Sequence, residues 1–144
     1  MPQRVGAGGA GSAIAHALVD AGVGALALHD ADASRRDELV RKLRACGAPD
    51  VSTGSSDPQG FDLVINATPA GMRPGDDLPV LVERLSQACF VGDVVTQPAL
   101  TPLLQAAQSR GCATLSGIGM FEAVRELMVD FYLGESPAGA APCG

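Results

Sequence analysis

Short apolar runs alternate with helical stripes along this chain. Ala25-Leu26-Ala27-Leu28-His29, Val51-Ser52-Thr53, Phe61-Asp62-Leu63-Val64-Ile65-Asn66, Phe90-Val91-Gly92-Asp93-Val94-Val95-Thr96 and Ala113-Thr114-Leu115-Ser116 read as strands. The continuous Leu63-Val64-Ile65 run marks a strand covered on both faces. Between them lie stretches of helical period. Ser12 to Asp20 puts Ile14 and Leu18 on one face and stops at Gly22 and Gly24. The next helix has Ser34 as N-cap with Asp37 three residues on, an inner stripe of Leu39, Val40 and Leu43, and an end at Cys46-Gly47. Leu78 to Ala88 is expected to be helical, beginning near Pro79. Thr101-Pro102 opens a helix reaching Arg110, closed by Gly111. A last helix spans Gly119 to Leu133 with Phe121, Val124, Leu127, Met128 and Phe131 on its apolar stripe. Strand–helix alternation of this kind implies an α/β fold with a doubly wound parallel sheet in a single domain, residues 1–133. The segment 134–144 has no core residues and is expected to be disordered. Ligands belong at the carboxyl ends of such strands.

The first strand is the exception to this regularity. Only Gln3-Arg4-Val5, with Pro2 before them, precede Gly6. A buried strand runs to about five residues, so this one is expected to be clipped. The residues after it are more informative. Gly6-Ala7-Gly8-Gly9-Ala10-Gly11 reads G-x-G-x-x-G and leads into an apolar helix. In a strand-turn-helix setting the first glycine makes the tight turn, the second lets backbone approach a pyrophosphate, and the third lets helix pack on strand. Amide groups and the positive end of the helix dipole hold the anion. Asp30 ends the next strand about 20 residues on, where a ribose-binding carboxylate belongs. The pattern therefore points to a Rossmann-like domain for a dinucleotide.

Composition narrows the function. The 144 residues are 47% hydrophobic but only 3% aromatic, so small and aliphatic side chains fill the core. A net charge of −6 argues against a nucleic-acid surface. No run of 18 apolar residues suggests a membrane span, and Met1-Pro2-Gln3-Arg4 is too short and polar for a secretory signal. Cys46, Cys89, Cys112 and Cys143 form no C-x-x-C pair, so no metal is expected; they read as reduced thiols of a cytoplasmic protein.

Four stretches together resemble one family, the shikimate and quinate dehydrogenases. They are the glycine turn, Asp62-Leu63-Val64-Ile65-Asn66-Ala67-Thr68-Pro69-Ala70-Gly71-Met72, Gly92-Asp93-Val94-Val95-Thr96-Gln97-Pro98-Ala99-Leu100-Thr101-Pro102-Leu103-Leu104, and Gly117-Ile118-Gly119-Met120. Order and spacing are similar to that family's carboxyl-terminal cofactor domain, up to about Leu133. The resemblance implies a two-domain oxidoreductase that moves a hydride between NAD(P) and the ring alcohol of shikimate or quinate. It implies an amino-terminal substrate domain with a lysine and an aspartate, which this chain does not contain. Asn66, Ala67 and Thr68 would meet the cofactor's ribose, and Val94 and Gly117 would border the nicotinamide. Gly6 to Gly11, Asp30 and Arg35 complete the expected cofactor contacts.

The chain also departs from that family's pattern. Thr96 stands where a tyrosine often reaches substrate, and Val124 (or Arg125, one residue on) stands where the family has a glutamine. Strand two ends Leu28-His29-Asp30 rather than Asn-Arg-Thr, the ending usual in phosphate-preferring relatives. A carboxylate there favours NAD over NADP, with Arg35 nearby leaving NADP possible. Lys42 reads as a surface charge, His16 and His29 as poorly placed proton carriers, and Asp76-Asp77 as a solvated loop. No catalytic residue is assigned, and the chain alone is expected to be inactive. The expected partners are a dinucleotide and, only with a substrate domain, a cyclic hydroxy acid. The competing expectation is a stand-alone NAD(H)-binding regulatory module or pseudoenzyme.

Overall fold

The computed structural model describes residues 2–6, 9–48 and 50–132. Six strands form one sheet: β1 (Pro2–Gly6), β2 (Ala25–His29), β3 (Val51–Thr53), β4 (Leu63–Asn66), β5 (Phe90–Asp93) and β6 (Ala113–Leu115). Four helices alternate with them: α1 (Gly9–Asp20), α2 (Ala33–Ala45), α3 (Pro102–Ser109) and α4 (Gly117–Tyr132). The sheet order is β3-β2-β1-β4-β5-β6, and every neighbouring pair is parallel. The central β1 runs from Pro2↔Ala25 to Gly6↔His29 against β2, and pairs with β4 on its other side. The chain winds outward from β1 to β3 and then crosses to β4 on the far side. The crevice beyond the carboxyl ends of β1 and β4 is the switch point where such folds hold ligands.

Two apolar clusters sandwich the sheet. Ala15, Leu26, Leu28, Leu39, Val40 and Leu43 belong to one, with Ile65 packed against it; Val64, Val91, Leu103, Leu104 and Ala107 belong to the other. Successive residues of a strand face opposite ways, so Val64 and Ile65 place the clusters on opposite faces. Fully burying each leucine contributes roughly 1.5–3 kcal/mol. This covering of both faces explains why β4 reads as a continuous apolar run.

Several elements differ from their sequence expectation, each for a local reason. α1 starts at Gly9, not Ser12, so the helix begins at the glycine turn itself. The N-cap of α2 is Asp32, whose Oδ1 accepts from the Arg35 amide at 3.1 Å; Ser34 lies inside the helix. Only Val82–Arg84, within 78–88, is helical, as a single 3-10 turn. Its backbone is drawn elsewhere: the Leu81 amide donates to the Ser56 carbonyl at 2.9 Å, and Arg84 donates to Asp57 and Gln59. β5 stops at Asp93 because the Val95 amide turns back onto the Asp93 carboxylate at 3.0 Å. α4 begins at Gly117, two residues early, where Ser116 Oγ accepts from the Gly119 amide at 3.1 Å. Cys89 and Cys112 are free and buried, whereas Cys46 is disulfide-bonded, against the expectation of a thiol. A spacing pattern does not register such a bond. Cys143 and the segment 134–144 lie outside the described residues.

Candidate functional site

The switch point is built from strand ends. Gly6 closes β1 and Gly9 and Ala10 open α1; Ala7 and Gly8 lie outside the described residues. Gly11 is buried, as close helix-on-sheet packing requires. The amino terminus of α1, with its unsatisfied amides, thus follows directly on the end of β1.

Asp30 leaves the end of β2 and is only 7% exposed. The Arg35 guanidinium grips its carboxylate with both oxygens engaged, Nε to Oδ2 at 3.2 Å and Nη2 to Oδ1 at 3.0 Å. The Asp32 amide donates to Oδ1 at 2.8 Å. α2 makes this pairing possible, since its first turn swings Arg35 back over the β2 exit. The hydrogen bond and charge of Asp30 push the Arg35 pKa up further. A bidentate pair of this kind fixes direction as well as charge. Asp30 and Arg35, both expected at the adenosine end, are therefore one unit.

On the other side of β1 the exits of β4 and β5 are tied together. Asn66 is 4% exposed. Its Oδ1 accepts from the Thr68 amide at 3.1 Å and from Thr68 Oγ1 at 2.6 Å. Its Nδ2 donates to the Ala70 carbonyl at 3.0 Å and to Asp93 Oδ1 at 3.1 Å. Thr68 Oγ1 also accepts from the Ala70 amide at 3.3 Å. The side chains expected to meet a ribose thus spend these bonds on shaping their own turn, and the backbone around Ala67 stays at the strand end. Val94 continues from β5, half-buried, with its amide donating to the Asn66 carbonyl at 3.0 Å. Gly117 is buried where a Cβ would lie 2.5 Å from the Val94 carbonyl oxygen and even closer to that of Val95. Asn66, Ala67, Thr68, Val94 and Gly117 therefore gather at one end of β4, β5 and β6. Thr96 is exposed on the loop beyond β5.

Two residues at this end were not singled out by sequence reasoning. Asp93 and Thr101 are both fully buried, and Thr101 Oγ1 donates to Asp93 Oδ2 at 2.8 Å. Burial pushes the Asp93 pKa up, while bonds from Val95, Thr101 and Asn66 pull against it. The available signal was an acid ending an otherwise apolar strand and a threonine just ahead of Pro102. Lys42, by contrast, is exposed and pairs with Glu38 at 2.9 Å. Asp76 accepts from the Gly71 and Arg73 amides, both at 3.1 Å, and so braces its own exposed loop. Among the described residues no cluster of three His, Cys, Asp or Glu could hold a metal, and no helix is long and apolar enough to cross a membrane.

An all-parallel sheet of this order, with its glycine turn at the switch point, defines a Rossmann-like α/β domain. No family model matches the chain. It is 39% identical over 129 residues to the shikimate dehydrogenase (NADP(+)) of Streptomyces avermitilis, covering 84% of this chain and 44% of that protein. The structure of quinate dehydrogenase from Corynebacterium glutamicum in complex with NAD is 39% identical with a TM-score of 0.75, covering 83% of this chain and 45% of that one. The ligand-free 5-ketofructose reductase of Gluconobacter sp. strain CHM43 gives a TM-score of 0.81 at 31% identity, covering 92% and 50%. The chain thus matches a part of the shikimate and quinate dehydrogenases. It spans about half the length of the relatives it matches.

Proposed function

We propose that the chain is the nicotinamide-dinucleotide-binding part of a shikimate dehydrogenase-like oxidoreductase, in which a hydride passes between NAD(P) and the ring alcohol of shikimate or quinate. The observation that carries this is a buried, charge-paired carboxylate at the exit of β2 in a chain related to such enzymes over most of its length. The residues present suit the cofactor. The Gly6–Gly11 turn and the start of α1 would hold the pyrophosphate. Asp30, steadied by Arg35, would accept from the adenosine ribose. Asn66, Ala67, Thr68, Val94 and Gly117 would flank the nicotinamide half, with Thr96 toward substrate. When bound, the nicotinamide supplies the hydride donor or acceptor; the chain's own part is to bind and orient it. NAD is the favoured form, because a carboxylate at the exit of β2 would repel a 2′-phosphate and Arg35 is already paired with it. The setting is the cytoplasm, with no membrane or nucleic acid involved.

Calorimetric titration tests the reading. The chain should bind NADH and NADPH, NADH more tightly. Failure to bind either would overturn the cofactor assignment, and equal affinity would overturn the preference alone.

A further inference from the structure

Asp93 is wholly buried, yet its three donors are all uncharged. Each comes from a different segment: Asn66 Nδ2 at the exit of β4, the Val95 amide at the exit of β5, and the Thr101 hydroxyl at the N-cap of α3. Two of the three extend the chain of bonds. Asn66 goes on to hold Thr68 and Ala70. Thr101 goes on to cap the Leu104 amide at 3.3 Å. An apolar residue would fill this space without the cost of burying a carboxylate. What a buried anion adds is direction, since donors to a charged oxygen are held more strongly in a low-dielectric interior.

The loops joined in this way follow β4 and β5, across β1 from Asp30. A dinucleotide at a switch point lies with one half on each side. The half remote from Asp30 therefore meets both loops at once.

We propose that Asp93 is a positioning residue for the nicotinamide half of the cofactor: it locks the Asn66–Ala70 turn to the β5 exit, so that two loops present one fixed surface. Being fully buried, it acts through Asn66 and the Val95 backbone rather than by contact. The inference rests on the dinucleotide reading above.

The test compares NADH with ADP-ribose, which lacks the nicotinamide. Asp93→Asn keeps the shape but removes the negative charge and turns the Thr101 hydroxyl from donor to acceptor, so the bond to a charged oxygen that ties α3 to the β5 exit is replaced by a neutral one. Thr101→Val removes the hydroxyl and Thr101→Ser restores it. The NADH dissociation constant should rise about tenfold in Thr101→Val, the scale of one lost bond to a charged group, and severalfold in Asp93→Asn, where the charge is lost but the contacts remain. ADP-ribose should stay within about twofold in both, and Thr101→Ser should return NADH binding to within about twofold of the native value. Parallel weakening of both ligands, or unchanged NADH binding, would overturn the inference while leaving the cofactor reading intact. If the native chain binds neither ligand, both fall together. Should Asp93→Asn not fold, the Val-against-Ser comparison at Thr101 decides the same question.

Discussion

Under the proposed dinucleotide reading, Asp30 and Arg35 would act as one pair in setting cofactor choice. Two like charges about 4 Å apart cost on the order of 1–4 kcal/mol near a surface. Arg35 offsets part of that repulsion, so the expected NAD preference is on the order of tenfold, or about 1.4 kcal/mol. Asp30→Asn removes the carboxylate and releases Arg35 at once. NADP affinity should then rise and NAD affinity fall in paired titrations; an unaltered ratio would separate Asp30 from the selectivity. Asp93 makes a second prediction, about pH. Its pKa is raised in the fold by burial. The folded state therefore holds this proton more readily than the unfolded chain. Its contribution is present below the ordinary value of 3.8 and is lost as pH rises through the raised value. Asp93→Asn does not titrate. In urea unfolding, its stability relative to the native chain should improve as pH climbs from near 3.8 toward neutrality. A difference that stays flat across that range would contradict the assignment.

Among the elements, the start of α4 is the most tightly constrained of those at the strand ends. Gly117 sits against the Val94 and Val95 carbonyls, and a Cβ there would stand 2.6 Å from the Val95 carbonyl carbon. Three residues on, Met120 Cε lies 2.6 Å from where a Cβ on Gly92 would be. α4 therefore approaches β5 through two glycines, one on each element. Gly117→Ala forces the first turn of α4 away from the β5 exit. Overpacking of this kind costs typically about 1–3 kcal/mol, and the contact here is with backbone, which cannot swing aside. The urea midpoint should fall accordingly; an unchanged midpoint would mean that the helix start shifts freely. Strands β2 to β6 and most helices were legible in the sequence, because their apolar period survives burial on both faces, as in Leu63-Val64-Ile65; β1, expected to be clipped, instead runs the five residues Pro2–Gly6, paired on both sides. The segment 78–88 was not legible. Leu78, Leu81, Val82 and Leu85 fall at helical spacing, yet Leu78 and Leu81 are exposed and Val80 is buried with Leu85 instead. The bond from Leu81 to Ser56 that decides against a helix joins residues far apart in sequence. The Asp30–Arg35 grip was only half legible: both residues could be named, but their mutual bond depends on α2 being capped at Asp32. Asp93 was hidden for a related reason, since one acid at a strand end reads as a boundary until its three donors are in place.

For the molecule as a whole, the geometry supports binding far more than chemistry. Hydride transfer to or from a ring alcohol needs a proton carrier within about 3 Å of the oxygen, and a well-placed one contributes about 100- to 10,000-fold. The described groups that could serve are otherwise engaged or misplaced. Lys42 is an exposed ion-pair partner of Glu38 on α2. His16 lies within α1, its Nδ1 buried without a hydrogen-bond partner. Asp93 is fully buried and occupied by Asn66, Val95 and Thr101. Asp30 stands across β1, at the end expected to hold adenosine. Orientation of substrate against cofactor is worth a further ~7–11 kcal/mol where a site provides it. Thr96, the one expected substrate contact, is exposed on its loop. The purified chain of 144 residues should therefore bind NADH yet give no enzyme-like turnover of shikimate or quinate with either nicotinamide. Initial rates followed by nicotinamide absorbance, beside a binding titration on the same sample, decide it. Turnover at an enzyme-like rate would mean that a proton carrier within these residues has been overlooked, and the roles assigned to Asp93 and Lys42 would be the first to revisit.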